Sequence, residues 1–351
     1  MSRLRAQADP AMTANAEGRV SGDPRAIGHG WLSGLAAATA AAAAIELVLL
    51  RVGTRTLIHI PGVERAEGPF TIVAELGRLA YSIAVVLSIM LLVGIGIWST
   101  RRGRVPEAVA VAVFGLAAVA ARLGFMDALA VVAASTVAVT VLGIAALRRH
   151  PSFRQHPLAW LPILLIGTAI VLFGIRALSV GAMAAGLTDS GTWLLGVAET
   201  VALAGLILLP LATGRPDRVA LALASAIGAS IWVSLTLADA TVKILLLWNL
   251  GLAGSLPALL YAAGGVAATA AAVTAARSGR AELTASIMLV VAGGFAIQST
   301  YQSALVVAAA GVLATAEASL TTASPAHEHD VSDESSAASE PLSRSSQPAR
   351  T

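Results

Sequence analysis

The stretch that decides the fold is residues 69–104, PFTIVAELGRLAYSIAVVLSIMLLVGIGIWSTRRGR. No charge falls between Arg78 and Arg101, and a cluster of arginines follows at once. A spanning helix needs about 20 predominantly apolar residues, so this run predicts a transmembrane helix stopped by a basic break. The same pattern continues on either side. Across all 351 residues, 57% are hydrophobic and 12% charged, against about 45–50% and about 25% in soluble domains. The mean hydropathy is +0.80. These values exclude a water-soluble globule.

Counting similar runs predicts an all-α, polytopic integral membrane protein with about ten transmembrane helices and no soluble domain. The spans are placed near 30–50, 70–98, 107–122, 126–147, 158–182, 191–213, 219–240, 254–276, 281–297 and 302–319. The chain then divides into an N-terminal tail over 1–28, a transmembrane domain over 29–319 and an acidic, Ser/Ala/Pro-rich tail over 320–351. Both tails are too polar to pack and are expected to be disordered. The third, ninth and tenth spans are short and Ala-rich. Gly94-Ile95-Gly96, Gly264-Gly265 and Gly293-Gly294 predict close helix approaches, and Pro162, Pro210 and Pro257 predict kinks.

Arginine placement predicts the orientation. Alternate breaks carry Arg101, Arg102 and Arg104; Arg148, Arg149 and Arg154; Arg215 and Arg218; and Arg277 and Arg280. The intervening breaks hold only Arg51, Arg55, Arg65, Arg122 and Lys243, with Glu64, Glu67, Asp127 and Asp239 offsetting them. Both termini are therefore expected inside a bacterial cytoplasmic membrane, the bacterial source being what the Ala- and Arg-rich composition suggests. Trp31, Trp98 and Trp160 fall near the inner boundary, and Trp193 and Trp248 near the outer one, as an interfacial aromatic belt would place them.

The net charge of +3 is topogenic in size and gives no nucleic-acid footprint. Without cysteine there is no thiolate nucleophile and no thiolate metal site. Histidines lie at helix ends, in loops or in the C-terminal tail, so no haem pair can be built inside the spans. His327-Glu328-His329-Asp330 reads as solvated tail. No cofactor, metal site or catalytic motif is expected.

Charges inside spans are the candidate chemistry, because each costs roughly 2.5–3.5 kcal/mol on insertion scales and must be functional or paired. Glu46, Glu75, Arg78, Arg176 and Glu199 all fall within about 15 Å of the outer boundary at 1.5 Å per residue. They are the expected substrate-binding residues of a transporter or permease-like protein taking a small charged solute or ion. The competing reading makes them structural pairs in a scaffold or assembly subunit whose tails recruit protein partners. On that reading Arg176 pairs with Glu199, Glu75 with Arg78 or Arg51, and Asp239 with Lys243 at i and i+4. A membrane-embedded transferase acting on lipid stands third.

Asp239-Ala240-Thr241-Val242-Lys243 resembles the Asp-x-x-x-Lys of microbial rhodopsins, whose lysine carries retinal. That resemblance implies a Schiff-base lysine at mid-membrane in an aromatic cage. Here Lys243 falls near a helix end and aromatics make up 4% of the chain, so no retinal site is expected.

Overall fold

The computed structural model describes residues 24–58, 68–150, 152–183, 190–237, 255–294 and 299–316. Ten long helices carry these residues: α1 (Pro24–Glu46), α2 (Pro69–Arg101), α3 (Val105–Arg122), α4 (Ala128–Arg149), α5 (Pro157–Met183), α6 (Ser190–Ile207), α7 (Arg218–Leu237), α8 (Ser255–Arg277), α9 (Ala281–Gly293) and α10 (Thr300–Thr315). No strand occurs among the described residues. Eight of the helices are long and apolar enough to cross a bilayer, α9 and α10 being shorter. The chain is an all-α, multi-pass membrane protein.

Contacts between helix ends sort the bundle into two faces. At one, Arg104 and Arg149 both reach the Ala314 carbonyl, Arg277 pairs with Asp217 at 2.8 Å, and the Arg280 guanidinium donates to the Ala212 carbonyl at 3.2 Å. The Ser33 hydroxyl donates to Glu282 at 3.0 Å, and Trp31 lies against Gly94. The basic breaks therefore gather at one arginine-rich end, together with the start of α1 and the close of α10. At the opposite end Tyr81 meets Tyr301, and the Thr56 and Ser234 hydroxyls lie 2.9 Å apart.

Helix α10 is the centre of the bundle and packs on α2, α3, α4 and α9. Leu305, Val306, Val307, Ala308, Ala309 and Val312 are almost wholly buried. This explains why it looked weak as a span. A helix enclosed by other helices needs neither full bilayer length nor large lipid-facing side chains, and small residues let its neighbours come close.

The close approaches fall partly where the glycines predicted them. A Cβ on Gly94 would stand 2.7 Å from the Trp31 ring, and one on Gly293 would stand 2.8 Å from Val306. At Gly264-Gly265 the close approach is at Gly265, whose missing Cβ would run into the tip of Ile231, while Gly264 sees only ordinary 3.5 Å contacts. Gly77, which the sequence did not single out, sits with Leu50 Cβ only 2.9 Å from its missing Cβ.

Three boundaries differ from expectation. Helix α1 starts at Pro24, inside the segment assigned to the N-terminal tail. Pro210 breaks the sixth span more sharply than a kink without ending it: α6 stops at Ile207 and a further helical turn covers Pro210–Thr213 within the same apolar span, because proline cannot donate back along the helix. Pro257 stands in the first turn of α8, where its missing N–H would have no helical partner in any case, so it makes no kink. Pro162 does lie inside α5. Residues 1–23 and 317–351, and with them the acidic tail, lie outside the described residues.

Candidate functional site

At the close of α1 the chain widens into a π-helical segment, Leu47–Gly53, before a short helix at Thr54–Ile58. This detour creates the first charged site. In an α-helix, at 3.6 residues per turn, positions five apart point about 140° away from each other; a wider π turn, bonded i to i+5, brings them together. Arg51 Nε accordingly donates to Glu46 Oε1 at 3.1 Å. Glu46 is 2% exposed.

The pair sits among other polar groups from distant parts of the chain. The Tyr81 and Tyr301 rings meet edge to face with centroids 4.9 Å apart, and the charges of Glu46 and Arg51 both act on the Tyr301 hydroxyl. Arg51 Nη1 and Gln302 Nε2 flank Gly294, at 3.8 and 3.9 Å from where its Cβ would stand. Gly294 closes α9 with φ of +69°, the left-handed cap that glycine adopts without strain. Two polar atoms of this cluster are buried with no hydrogen-bond partner among the described residues: Glu46 Oε2 and the Tyr301 hydroxyl oxygen. Native structures rarely leave such atoms unmet, and an ion, water or substrate is a usual reason when they do.

The other expected site residues do not converge on this cluster. Glu75 and Arg78 pair with each other at 2.5 Å, one turn apart on α2, and both side chains are more than half exposed. Arg176 lies on α5 and Glu199 on α6, two helices that pack side by side. Both are half-buried, neither is without a partner, and the Glu199 charge reaches Tyr261 on α8. The five residues expected in one outward vestibule thus divide between the α1–α2–α10 side of the bundle and the α5–α6–α8 side. Asp239 and Lys243, the expected structural pair, lie outside the described residues. Arg51, weighed as a partner for Glu75, belongs to Glu46 instead.

A second charged cluster, at the arginine-rich end, was not foreseen. Glu107, 4% exposed, forms an ion pair with Arg149. Arg149 also donates to the Ala314 carbonyl at 3.1 Å and Arg104 to the same oxygen at 3.3 Å. These cations cap the C-terminus of α10, where carbonyls lack helical partners and the macrodipole favours positive charge. The Arg104 guanidinium stacks 4.2 Å from the Trp98 ring centroid. His150 Nε2 donates to the Leu313 carbonyl at 3.2 Å, while Nδ1 is buried and unpartnered among the described residues. Burial holds His150 below its ordinary 6.5; the bond to Leu313 opposes this and the adjacent Arg149 charge reinforces it. The ring is neutral at pH 7. Buried charges therefore lie at both ends of the bundle. Trp98 and Trp160 serve as buried ring partners for Arg104 and His150 at this end, not as a lipid-facing belt.

Two cavities accompany the clusters. One, of about 320 Å³, is walled by apolar side chains of α4, α5, α9 and α10. The other, of about 1320 Å³, runs between α2 and α3 and is walled at one end by Tyr81 and Tyr301. No group of three or more acidic or histidine side chains gathers to hold a metal among the described residues. Comparison of the chain with family models, with characterised proteins and with solved structures yields no match.

Proposed function

We propose that this multi-pass membrane protein is transporter- or permease-like, that its arginine-rich end faces the cytoplasm of a bacterial cell, and that the Glu46–Arg51–Tyr301 cluster is its outward-facing polar site. The observation that carries the reading is the unmet Glu46 Oε2 beside an unmet tyrosine hydroxyl. A carboxylate oxygen offered to nothing, next to a phenol that can donate or accept, suits a proton or a small cationic or hydrogen-bonding solute. The π-helical segment that carries Arg51 agrees with this, since π turns recur at functional sites. Arg176 and Glu199 are proposed as a second charged pair on the α5–α6 side.

The scaffold reading has its own support in Asp217 with Arg277, which pair at 2.8 Å, and in Glu107 with Arg149, where Glu107 Oε2 is as unmet among the described residues as Glu46 Oε2 but has no tyrosine hydroxyl among its unmet neighbours. The two readings differ in what Glu46 does for stability. If it serves a solute, Glu46→Gln removes a buried charge with an unmet oxygen and leaves the melting temperature unchanged or higher, as substitutions of functional residues often do. If the pair is structural, Glu46→Gln strands Arg51 and costs about 3 kcal/mol, which Glu46→Gln with Arg51→Gln together recover. Thermal melts of the three variants in lipid nanodiscs decide between them. Destabilisation by the single change with recovery in the double overturns the transporter reading.

A further inference from the structure

The groove between α2 and α3 asks for an occupant that the polar cluster does not supply. Its wall runs along α2 from Tyr81 to Arg101 and along α3 from Ala108 to Arg122. At 1.5 Å per residue the α2 wall is about 30 Å long, the thickness of a bilayer's hydrocarbon core. The middle is apolar and faces outward: Ile89, Val93, Leu116 and Val119 line it and are each more than half exposed. Each end carries an exposed arginine, Arg122 beside Tyr81, Ser82 and Thr300, and Arg101 beside Thr100. Neither arginine makes a side-chain ion pair or hydrogen bond among the described residues, whereas Arg51, Arg149 and Arg277 all do.

An apolar trough open to the membrane and ending in a free cation matches one ligand class by shape and by charge. We infer that the groove is a binding site for an anionic phospholipid of the surrounding bilayer, its phosphate at Arg122 with the Tyr81, Ser82 and Thr300 side chains beside it, and its acyl chains lying between α2 and α3. Basic pockets between transmembrane helices hold lipid headgroups in this way. The Arg122 end takes the headgroup because the Tyr81 and Thr300 hydroxyls line the groove with it, while the Ser82 hydroxyl already donates to the Arg78 carbonyl. Arg101 marks where the trough reaches the other leaflet. The site is independent of Glu46: it stands on the groove and its charged ends, whatever the polar cluster transports.

Gly115 makes the test clean. It lines the groove, and a Cβ placed on it meets nothing within 4 Å, so Gly115→Phe fills the trough without disturbing the helix contacts. Arg122→Gln removes the cation alone. Purified full-length protein is exchanged into detergent with phosphatidylglycerol or phosphatidylcholine, and bound lipid is counted by native mass spectrometry. The wild type is expected to retain phosphatidylglycerol over phosphatidylcholine by about tenfold, equivalent to 1.4 kcal/mol. Arg122→Gln is expected to abolish that preference, Gly115→Phe to abolish retention of both, and inorganic phosphate not to compete. Equal retention of the two lipids by the wild type, or undiminished phosphatidylglycerol on both variants, overturns the site. Competition by inorganic phosphate overturns the lipid as occupant. A photo-crosslinker at Leu116 that captures residues 238–254 of the same chain instead of lipid also overturns it, since the groove would then be filled from within.

Discussion

Glu107→Gln is expected to destabilise the protein by about 3 kcal/mol, the lower end of what breaking a buried ion pair costs. The low end applies because the Arg149 side chain is 29% exposed and water can reach part of the charge left behind. The loss spreads beyond the pair. Arg149 is also a cap on the Ala314 carbonyl, and α10, whose end it holds, packs on four other helices. Arg149→Lys is expected to lose part of the same stability, because an ammonium cannot address Glu107 and Ala314 with the two arms of a guanidinium. Melting of detergent-solubilised protein reads both. A Glu107→Gln variant that melts with the wild type would show that the cluster contributes nothing to the bundle.

The second large effect belongs to Gly77. Its missing Cβ would meet Leu50 at Cβ, N and Cα, at 2.9, 3.1 and 3.2 Å. These are the stem of a residue and not the tip of a flexible chain, so the contact cannot be relieved by changing a rotamer. Gly77→Ala is expected to cost about 1–3 kcal/mol by overpacking. Gly77→Leu is expected to drive the π-helical segment off α2 and to leave no monodisperse protein. Gly143→Leu is the control, since nothing lies within 4 Å of a Cβ there. Gel filtration that finds Gly77→Leu as well behaved as Gly143→Leu would contradict the close approach.

The fold was largely legible because hydrophobic run length and arginine position report directly on the bilayer. Among the described residues a helix lies over each predicted span, eight of them long and apolar enough to cross a bilayer, and the arginine-bearing breaks do meet at one end. What the runs could not reveal was which helix lies inside the bundle. Short length and alanine content made the last span look weak, and the same features let α10 occupy the centre. The charged sites were less legible for a related reason. Counting depth along a helix places a charge in the membrane but does not say which neighbours it faces. Glu46 was picked out by depth, yet its partner Arg51 depends on a change of helical pitch that no residue pattern in Leu47–Gly53 announces. Glu107 opens the third apolar run just after the basic break Arg101–Arg104, where hydropathy does not distinguish a solvated boundary acid from a buried one. Tyr81 and Tyr301 carry no charge, so the cost of burying charge in a span gives no sign of them.

The chain has no cysteine, so any single cysteine is its sole thiol, and one labelling experiment reads both orientation and access. Gln302→Cys beside the Glu46–Arg51 pair and Ser278→Cys at the arginine-rich end are each treated in intact cells with a small, membrane-impermeant thiol reagent. The account predicts that the cysteine at 302 reacts from outside and that the one at 278 reacts only after the membrane is permeabilised. A cysteine at 278 that reacts in intact cells, or one at 302 that stays unmodified before and after permeabilisation, would contradict an outward-facing polar site at Glu46.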